Sequence, residues 1–343
     1  MDIACKHCGK HYDVPDERLP AGKIVKFPCP ACKNIIRVDL RYERQSDRKE
    51  HPGSAKATSN EDEVGRLKRK ILKSVGDLPP MPQVVQKARK VMANPNSSFK
   101  DLAIIFVTDQ AIATRVLKMA NSAYYGLAQR VSSIQQASVV LGHKTLAELI
   151  TVASTSDLMG KELKGYGLEA GALWQHSLAV AFGSRLIAKK KDPEIADDAF
   201  AAGLIHDAGK LVLDPYVFER RDAFEDFLAN DHENFLAAEK AILGFDHAEI
   251  ASEICKRWNV PDNMATAIRY HHGPSEAVDE ELAHVLHVAD GIAMLSGLGT
   301  GVDALSYEID EQAIKTLGLK SNEVSKLAEQ VVASVQNTIH EFQ

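Results

Sequence analysis

The sequence predicts an all-α body with a small β-type ribbon at its N-terminus, and three observations predict it. Four of the five cysteines, Cys5, Cys8, Cys29 and Cys32, fall in the first tenth of a 343-residue chain. From about residue 63 onward apolar residues recur at helical spacing, and no alternating strand pattern interrupts them. Between these regions, residues 41–62 read RYERQSDRKEHPGSAKATSNED, with almost no large apolar side chain to offset the entropy of ordering. That stretch reads as a flexible linker.

The ribbon occupies residues 1–40. Gly9, Pro15, Pro20, Gly22, Pro28 and Pro30 punctuate it, and short β-like runs stand at 23–27 and 35–38. In the body a helix is expected over 82–93, and Ser98 can cap the next. Asp109 opens a third helix through Ala120, and Ser132 or Ser133 opens a fourth toward Leu141. Pro79-Pro80, Asn94-Pro95, Gly126 and Gly142 mark the joints, and residues 143–160 continue as helix. Residues 160–171 look like a boundary, which divides the body into helical subdomains at 63–160 and 161–300. Residues 301–343 add C-terminal helices, the last an amphipathic one over 321–341. No repeat at solenoid period stands out.

Composition sets outer limits. With 45% apolar and 26% charged residues the chain has room for two or three globular domains, which excludes a disordered or fibrous protein. No 18-residue apolar run occurs, so no membrane association is expected, and residues 1–10 lack a basic-then-apolar leader. A cytoplasmic location is the expectation. Residues 1–70 carry 16 Lys/Arg against 11 Asp/Glu, whereas residues 71–343 carry 25 against 36. So acidic a body argues against nucleic acid as a partner.

The cysteines form two Cys-x-x-Cys knuckles 20 residues apart, Cys5/Cys8 and Cys29/Cys32, with Cys255 standing alone. Such knuckles converge as a tetrahedral thiolate site for Zn²⁺, and four thiolates leave no open position for substrate. The zinc is therefore expected to be structural, stapling a module too small to fold on its own core. His7 and His11 lie nearby and are read as bystanders. The lysines and arginines of the ribbon are nearly balanced by acids, so they read as solvated surface.

The second half holds a different chemistry. His206 and Asp207 lie in AFAAGLIHDAGKLVL at 199–213, apolar almost all round, which predicts a buried helix. An uncompensated carboxylate there would cost several kcal/mol. Asp246 and Glu249 form a capping box that puts His247 in the first turn of a helix with Ile250, Ala251, Ile254 and Trp258 on its inner face. A further helix from about Pro261 carries His271 and His272 in its last turn before Gly273-Pro274. Asp290 sits in the apolar run LAHVLHVADGIAML, and His176 follows Trp174 on an earlier segment. Imidazoles and acids on packed helices suit one or two divalent metals such as Fe or Mn, whose charge offsets the buried carboxylates. Each histidine alone would be an ordinary hydrogen-bonded core residue. Together they make a candidate metal set of His176, His206, Asp207, His247, His271, His272 and Asp290. Lys210 either holds a phosphate oxygen beside the metals or pairs with Asp207, the two candidate catalytic groups. His284 and His287 precede Asp290 by six and three residues; His287 could support a metal ligand from behind, but a structural or surface role is the plainer reading.

These residues carry a resemblance. LPPMPQVVQKARKVM, TDQAIATRVLKMANSAYYG, SSIQQASVVLGHKTL, LIHDAGKL and GFDHAEIASEICKRWNVPD resemble the HD-related output domain (HDOD) family, bacterial signalling relatives of the HD and HD-GYP phosphohydrolases. The resemblance spans about 70–270 and reaches about 300. YDVPDERLPAGKIVKFPCPAC resembles the zinc-ribbon segment at the head of some bacterial regulators. The resemblance implies an HD-like helical domain preceded by a helical bundle subdomain. It also implies a regulatory scaffold that docks a protein partner in a signalling pathway, in a family whose metal set is usually incomplete. This chain departs from that pattern. His176, His206, Asp207 and Asp290 fall where an HD enzyme keeps its core ligands, and His247, His271 and His272 fall where HD-GYP enzymes add histidines. The Gly-Tyr-Pro segment is replaced by GPSEAVDEELAH, and Ala172 stands where some members carry Glu. The expectation is a signalling protein that retains an HD-type metal site. The alternative is an active metal-dependent phosphohydrolase acting on a nucleotide or other phosphoester.

Overall fold

Contacts along the chain separate two units, Met1–Ala57 and Thr58–Gln343. The computed structural model describes residues 2–4, 10–13, 24–32, 35–39, 60–77, 94, 98, 110–122, 125–229, 234–277, 281–302 and 309–340. In the first unit β1 (Asp2–Ala4) pairs antiparallel with β2 (His11–Asp13), Ile3 opposite Tyr12. β3 (Ile24–Pro28) pairs antiparallel with β4 (Ile35–Asp39), Val25 opposite Val38. The two β-like runs of the sequence are thus strands, each one residue displaced or extended. Cys29 and Cys32 sit on the turn that leaves β3, whereas Cys5 and Cys8 lie outside the described residues.

The second unit begins with α1 (Asn60–Asp77), so the expected linker ends three residues too late. Its closing residues Asn60, Glu61 and Asp62 are polar, as composition noted, but acidic residues are also what a first helical turn favours. The helices expected over 82–93 and after Ser98 fall outside the described residues. α2 (Gln110–Ala120) leads into a loop closed by Asn121, whose Nδ2 donates to Val131 O at 2.9 Å while Val131 N–H donates to its Oδ1 at 2.7 Å. Ser133 caps α3 (Ile134–Met159), accepting from Gln136 N–H. Gly142, at φ 82° and ψ 161°, interrupts α3 internally; the joint read from sequence is a kink within one helix.

α4 (Ala172–Lys191) is buried nearly all round and packs against α5 (Ala196–Ile205), α11 (Glu281–Leu295) and α13 (Ser321–His340). α6 (Gly209–Glu219), α7 (Arg221–Leu228), α8 (Phe235–Leu243), α9 (His247–Arg257) and α10 (Asp262–Arg269) follow, and α12 (Glu311–Leu317) precedes α13. One apolar cluster, from Leu67 to Val335, runs through the body. Among the described residues no helix is long and apolar enough to cross a membrane.

Two glycines fix the approach of the helices that matter most. A Cβ at Gly203 would lie 2.8 Å from Ala181 Cα, so α5 lies on α4 with no room for a side chain. At Gly209 it would lie 1.9 Å from His247 O, so the start of α6 touches the start of α9. The latter contact explains a correction. His206 and Asp207 are not inside one continuous helix: α5 ends at Ile205, residues 206–208 form a turn, and α6 starts at Gly209. An unbroken apolar run carries no periodic mark of that bend. His271 and His272 likewise stand just past the end of α10, on a turn at 270–272.

Candidate metal centre

The site grows from six elements of the chain. α4 supplies His176, the α5–α6 turn His206 and Asp207, α6 Lys210, α9 His247, the turn after α10 His271 and His272, and α11 Asp290. All but His272 are at most 2% exposed. Every candidate of the histidine–aspartate set is therefore brought to one place, including Lys210. The Nζ of Lys210 lies 2.6 Å from Asp207 Oδ2 as an ion pair.

The imidazoles share one orientation. Carbonyl oxygens only accept, so a ring nitrogen facing one carries the proton. His206 Nδ1 donates to Gly203 O at 2.8 Å, His271 Nδ1 to Ile268 O at 2.7 Å and His176 Nδ1 to Leu298 O at 3.2 Å. The Nε2 atoms of these three rings point inward, and none finds a hydrogen-bond partner there. Asp207 Oδ1 and both carboxylate oxygens of Asp290 are equally uncovered. His176 Nε2 lies 3.0 Å from Asp290 Oδ1 and 3.6 Å from Asp207 Oδ2, and His206 Nε2 lies 3.5 Å from Asp207 Oδ2. His247 Nε2 faces Asp207 Oδ1 at 3.3 Å and His272 Nε2 at 2.7 Å.

Electrostatics sharpen the picture. Burial drives His271 down to about 3 and also lowers His206 and His272, which favours the neutral forms of these rings. Burial also opposes charge on His176 and His247, but Asp290 raises the former, and Glu239 lifts the latter to about 9. Asp207 and Asp290 are held well below the carboxylate range, against burial, chiefly by His206 and His176 respectively. Lone pairs facing carboxylates in a dry interior repel unless a cation lies between them. Three overlapping donor groups have their ligand atoms within 4.8 Å of one another: His176, His206, Asp207; His206, His271, Asp290; and His247, His271, His272. The donor chemistry and the uncovered atoms both fit divalent ions.

Sequence reasoning missed two residues. Glu239 of α8 is fully buried; its Oε2 accepts from His247 N–H at 3.0 Å and from His247 Nδ1 at 2.8 Å. Tyr166, also buried, donates its hydroxyl to Glu239 Oε1 at 2.5 Å. His287 is buried, not at the surface: Nδ1 donates to His271 O and Nε2 accepts from Asp310 N–H, each at 2.8 Å.

In the ribbon, Cys29 is buried with the Tyr12 hydroxyl 3.1 Å from its Sγ. Burial pushes the thiol up, but Tyr12 and the backbone N–H groups of Cys32 and Ala31 outweigh it and bring Cys29 to about 6. A thiolate at neutral pH is what a metal ligand requires.

The helical body gathers histidines and aspartates from five segments into one buried space. The chain belongs to the HDOD domain family, whose model matches residues 78–274, more than half its length. The model of a zinc-ribbon domain matches residues 1–37. Among solved structures, an HDOD domain protein of unknown function from Geobacter sulfurreducens is 25% identical, with a TM-score of 0.62 over 82% of this chain and 96% of that one. A candidate phosphohydrolase from Shewanella amazonensis SB2B is 23% identical, with a TM-score of 0.62 over 80% of this chain and 98% of that one. A candidate signal transduction protein from Marinobacter aquaeolei VT8 is 22% identical, with a TM-score of 0.62 over 83% and 66%. An uncharacterized protein of Treponema pallidum (strain Nichols) is 24% identical over 216 residues, 63% of this chain; the match spans 41% of that relative's length.

Proposed function

We propose that this chain is a cytoplasmic signal-transduction protein whose HDOD body keeps an HD-type divalent-metal centre and docks a protein partner, with a four-thiolate zinc ribbon at its head. One observation carries the reading: the Nε2 atoms of His176, His206 and His271, Asp207 Oδ1 and both oxygens of Asp290 converge in a buried space with no hydrogen-bond partners of their own. His176, His206, Asp207 and Asp290 would hold one ion and His247, His271 and His272 a second, with Asp207 turning one oxygen to each side. Bound there, the ions supply positive charge against the buried carboxylates and, at an open position, the capacity to acidify water. Burial of the donors favours a closed centre, which is how structural metal sites differ from catalytic ones. Cys5, Cys8, Cys29 and Cys32 would bind Zn²⁺ in the ribbon.

The second reading, a phosphohydrolase, is favoured by Lys210. Its ammonium group stands 2.6 Å from Asp207, where it could turn to a phosphoryl oxygen. The structural likeness to the Shewanella protein is compatible with it. Elemental analysis of the purified full-length protein, with Mn²⁺ or Fe²⁺ supplied and a phosphoester panel assayed, separates the readings. The expected result is about one Zn and up to two further divalent ions per chain, without turnover. Turnover that His206→Ala abolishes would establish the hydrolase, and zinc alone would overturn the metal centre.

A further inference from the structure

At the centre the carboxylates of Asp207, Asp290 and Glu239 are all buried, and the Lys210 ammonium pairs with Asp207. Glu239 differs from the other two. It touches no candidate ligand atom from the inside; it grips His247 from behind, through both the main chain and the ring. His176, His206 and His271 are each held by a neutral backbone carbonyl, whereas His247 has a carboxylate behind its ring. A carboxylate behind an imidazole fixes its tautomer and strengthens it as a ligand more than a carbonyl does. It also turns His247 Nε2 toward His272 and Asp207, the side of the second ion.

Glu239 is in turn held by Tyr166, which belongs to the loop at 160–171. Gly165 N–H donates to Asp214 Oδ1 at 2.7 Å, and Tyr166 O accepts from Val302 N–H at 3.0 Å. The loop is thus anchored to α6 and to the segment after α11, with the Tyr166 hydroxyl reaching inward to Glu239. A chain of contacts runs from loop to carboxylate to imidazole to the second half of the centre.

We infer that Tyr166 and Glu239 are positioning residues that set how tightly the His247, His271 and His272 cluster holds its cation, linking that cluster to the position of the 160–171 loop. The inference rests on the two-ion reading above. It assigns the pair no contact with either ion, and it leaves the His176, His206 and Asp290 half untouched.

Titration of the metal-free full-length protein with Mn²⁺, followed by calorimetry and electron paramagnetic resonance, tests it. Wild type should take two ions and give the spectrum of an exchange-coupled pair. Glu239→Gln keeps the shape and removes the charge; it should weaken the second ion about tenfold to a hundredfold and leave the first unchanged. At limiting metal its spectrum should be that of isolated Mn²⁺. Tyr166→Phe removes one oxygen, disturbs packing least, and should shift the second affinity in the same direction by less. Circular dichroism of the metal-free variants checks that the fold is kept. Unchanged affinities in both variants, or equal losses at both ions, would overturn the positioning role. Fewer than two ions in wild type would instead overturn the two-ion reading, and the two failures are told apart by which protein displays them.

Discussion

Asp207 turns one oxygen toward His176, His206 and Lys210 and the other toward His247, so this carboxylate faces both halves of the centre. Asp207→Ala should therefore abolish binding of both body ions while the ribbon zinc remains, as elemental analysis would report. With metal removed from both proteins, the variant should also be less stable by about 3–5 kcal/mol in urea unfolding, because it deletes one half of a buried ion pair. Retention of one ion would show that the halves do not share this carboxylate. The importance of Asp207 and Asp290 was legible because an acid in an apolar run demands compensation. Glu239 meets the same criterion in FLAAEKAIL, yet the adjacent Lys240 gives that stretch the look of a solvated face. Tyr166 leaves no trace in sequence. It sits between two glycines in a loop with no period, and only the fold carries its hydroxyl to α8.

At the level of elements, the helices themselves were largely readable: Ser133 and Asp246 cap where the sequence puts them, and the last helix starts at Ser321. What was not readable is how helices end inside uniformly apolar stretches. The turn at 206–208 lies beside the close approach of Gly209 to His247, a contact that no residue spacing announces. Gly209→Ala places a methyl where His247 O stands, so α6 and α9 must separate. The expected effects are a loss of about 1–3 kcal/mol in thermal unfolding and weaker binding of both ions, since Asp207 and His247 move apart. Unaltered metal affinity would mean that the helix contact does not set the centre. The loop anchor Asp214 offers a test in pH. Burial raises its carboxyl above the ordinary value, against the N–H groups of Gly165 and Tyr166. The folded state thus prefers the neutral acid, so this group's contribution is greatest below the unfolded pKa and is lost as pH rises through the folded one. Asp214→Asn keeps an acceptor for Gly165 and has no charge to bury. Melting curves should diverge in the variant's favour from about pH 4 upward and run parallel once the carboxyl is ionised. A constant gap would remove Asp214 as the titrating group.

Across the whole molecule, the two proposed metal sites would answer two kinds of folding problem. The ribbon consists of paired two-stranded hairpins, an arrangement marginal in water without a staple, and Cys29 is already poised as a thiolate. The body draws its apolar cluster from residues 67–335 and so needs no ion to assemble its core. Ions bound at its centre would instead add stability in proportion to their affinity, because they bind the folded state alone. The division of the chain was plain in the sequence from the cysteine spacing and the linker composition; the start of the body at Asn60 was obscured by residues that suit both linker and first turn. Selective metal removal from the full-length protein follows as a test. A thiol-directed mercurial should release about one zinc and erase amide protection over the ribbon strands while the helical melting temperature stays in place. Cys255, buried in α9, reacts only on opening, and Cys255→Ala serves as the control. A chelator that takes the body ions should do the opposite, lowering the helical transition by several degrees and leaving ribbon protection intact if zinc is retained. A drop in the helical transition on zinc release alone would mean that the body depends on the ribbon, and the assignment of separate roles to the two metals would fail.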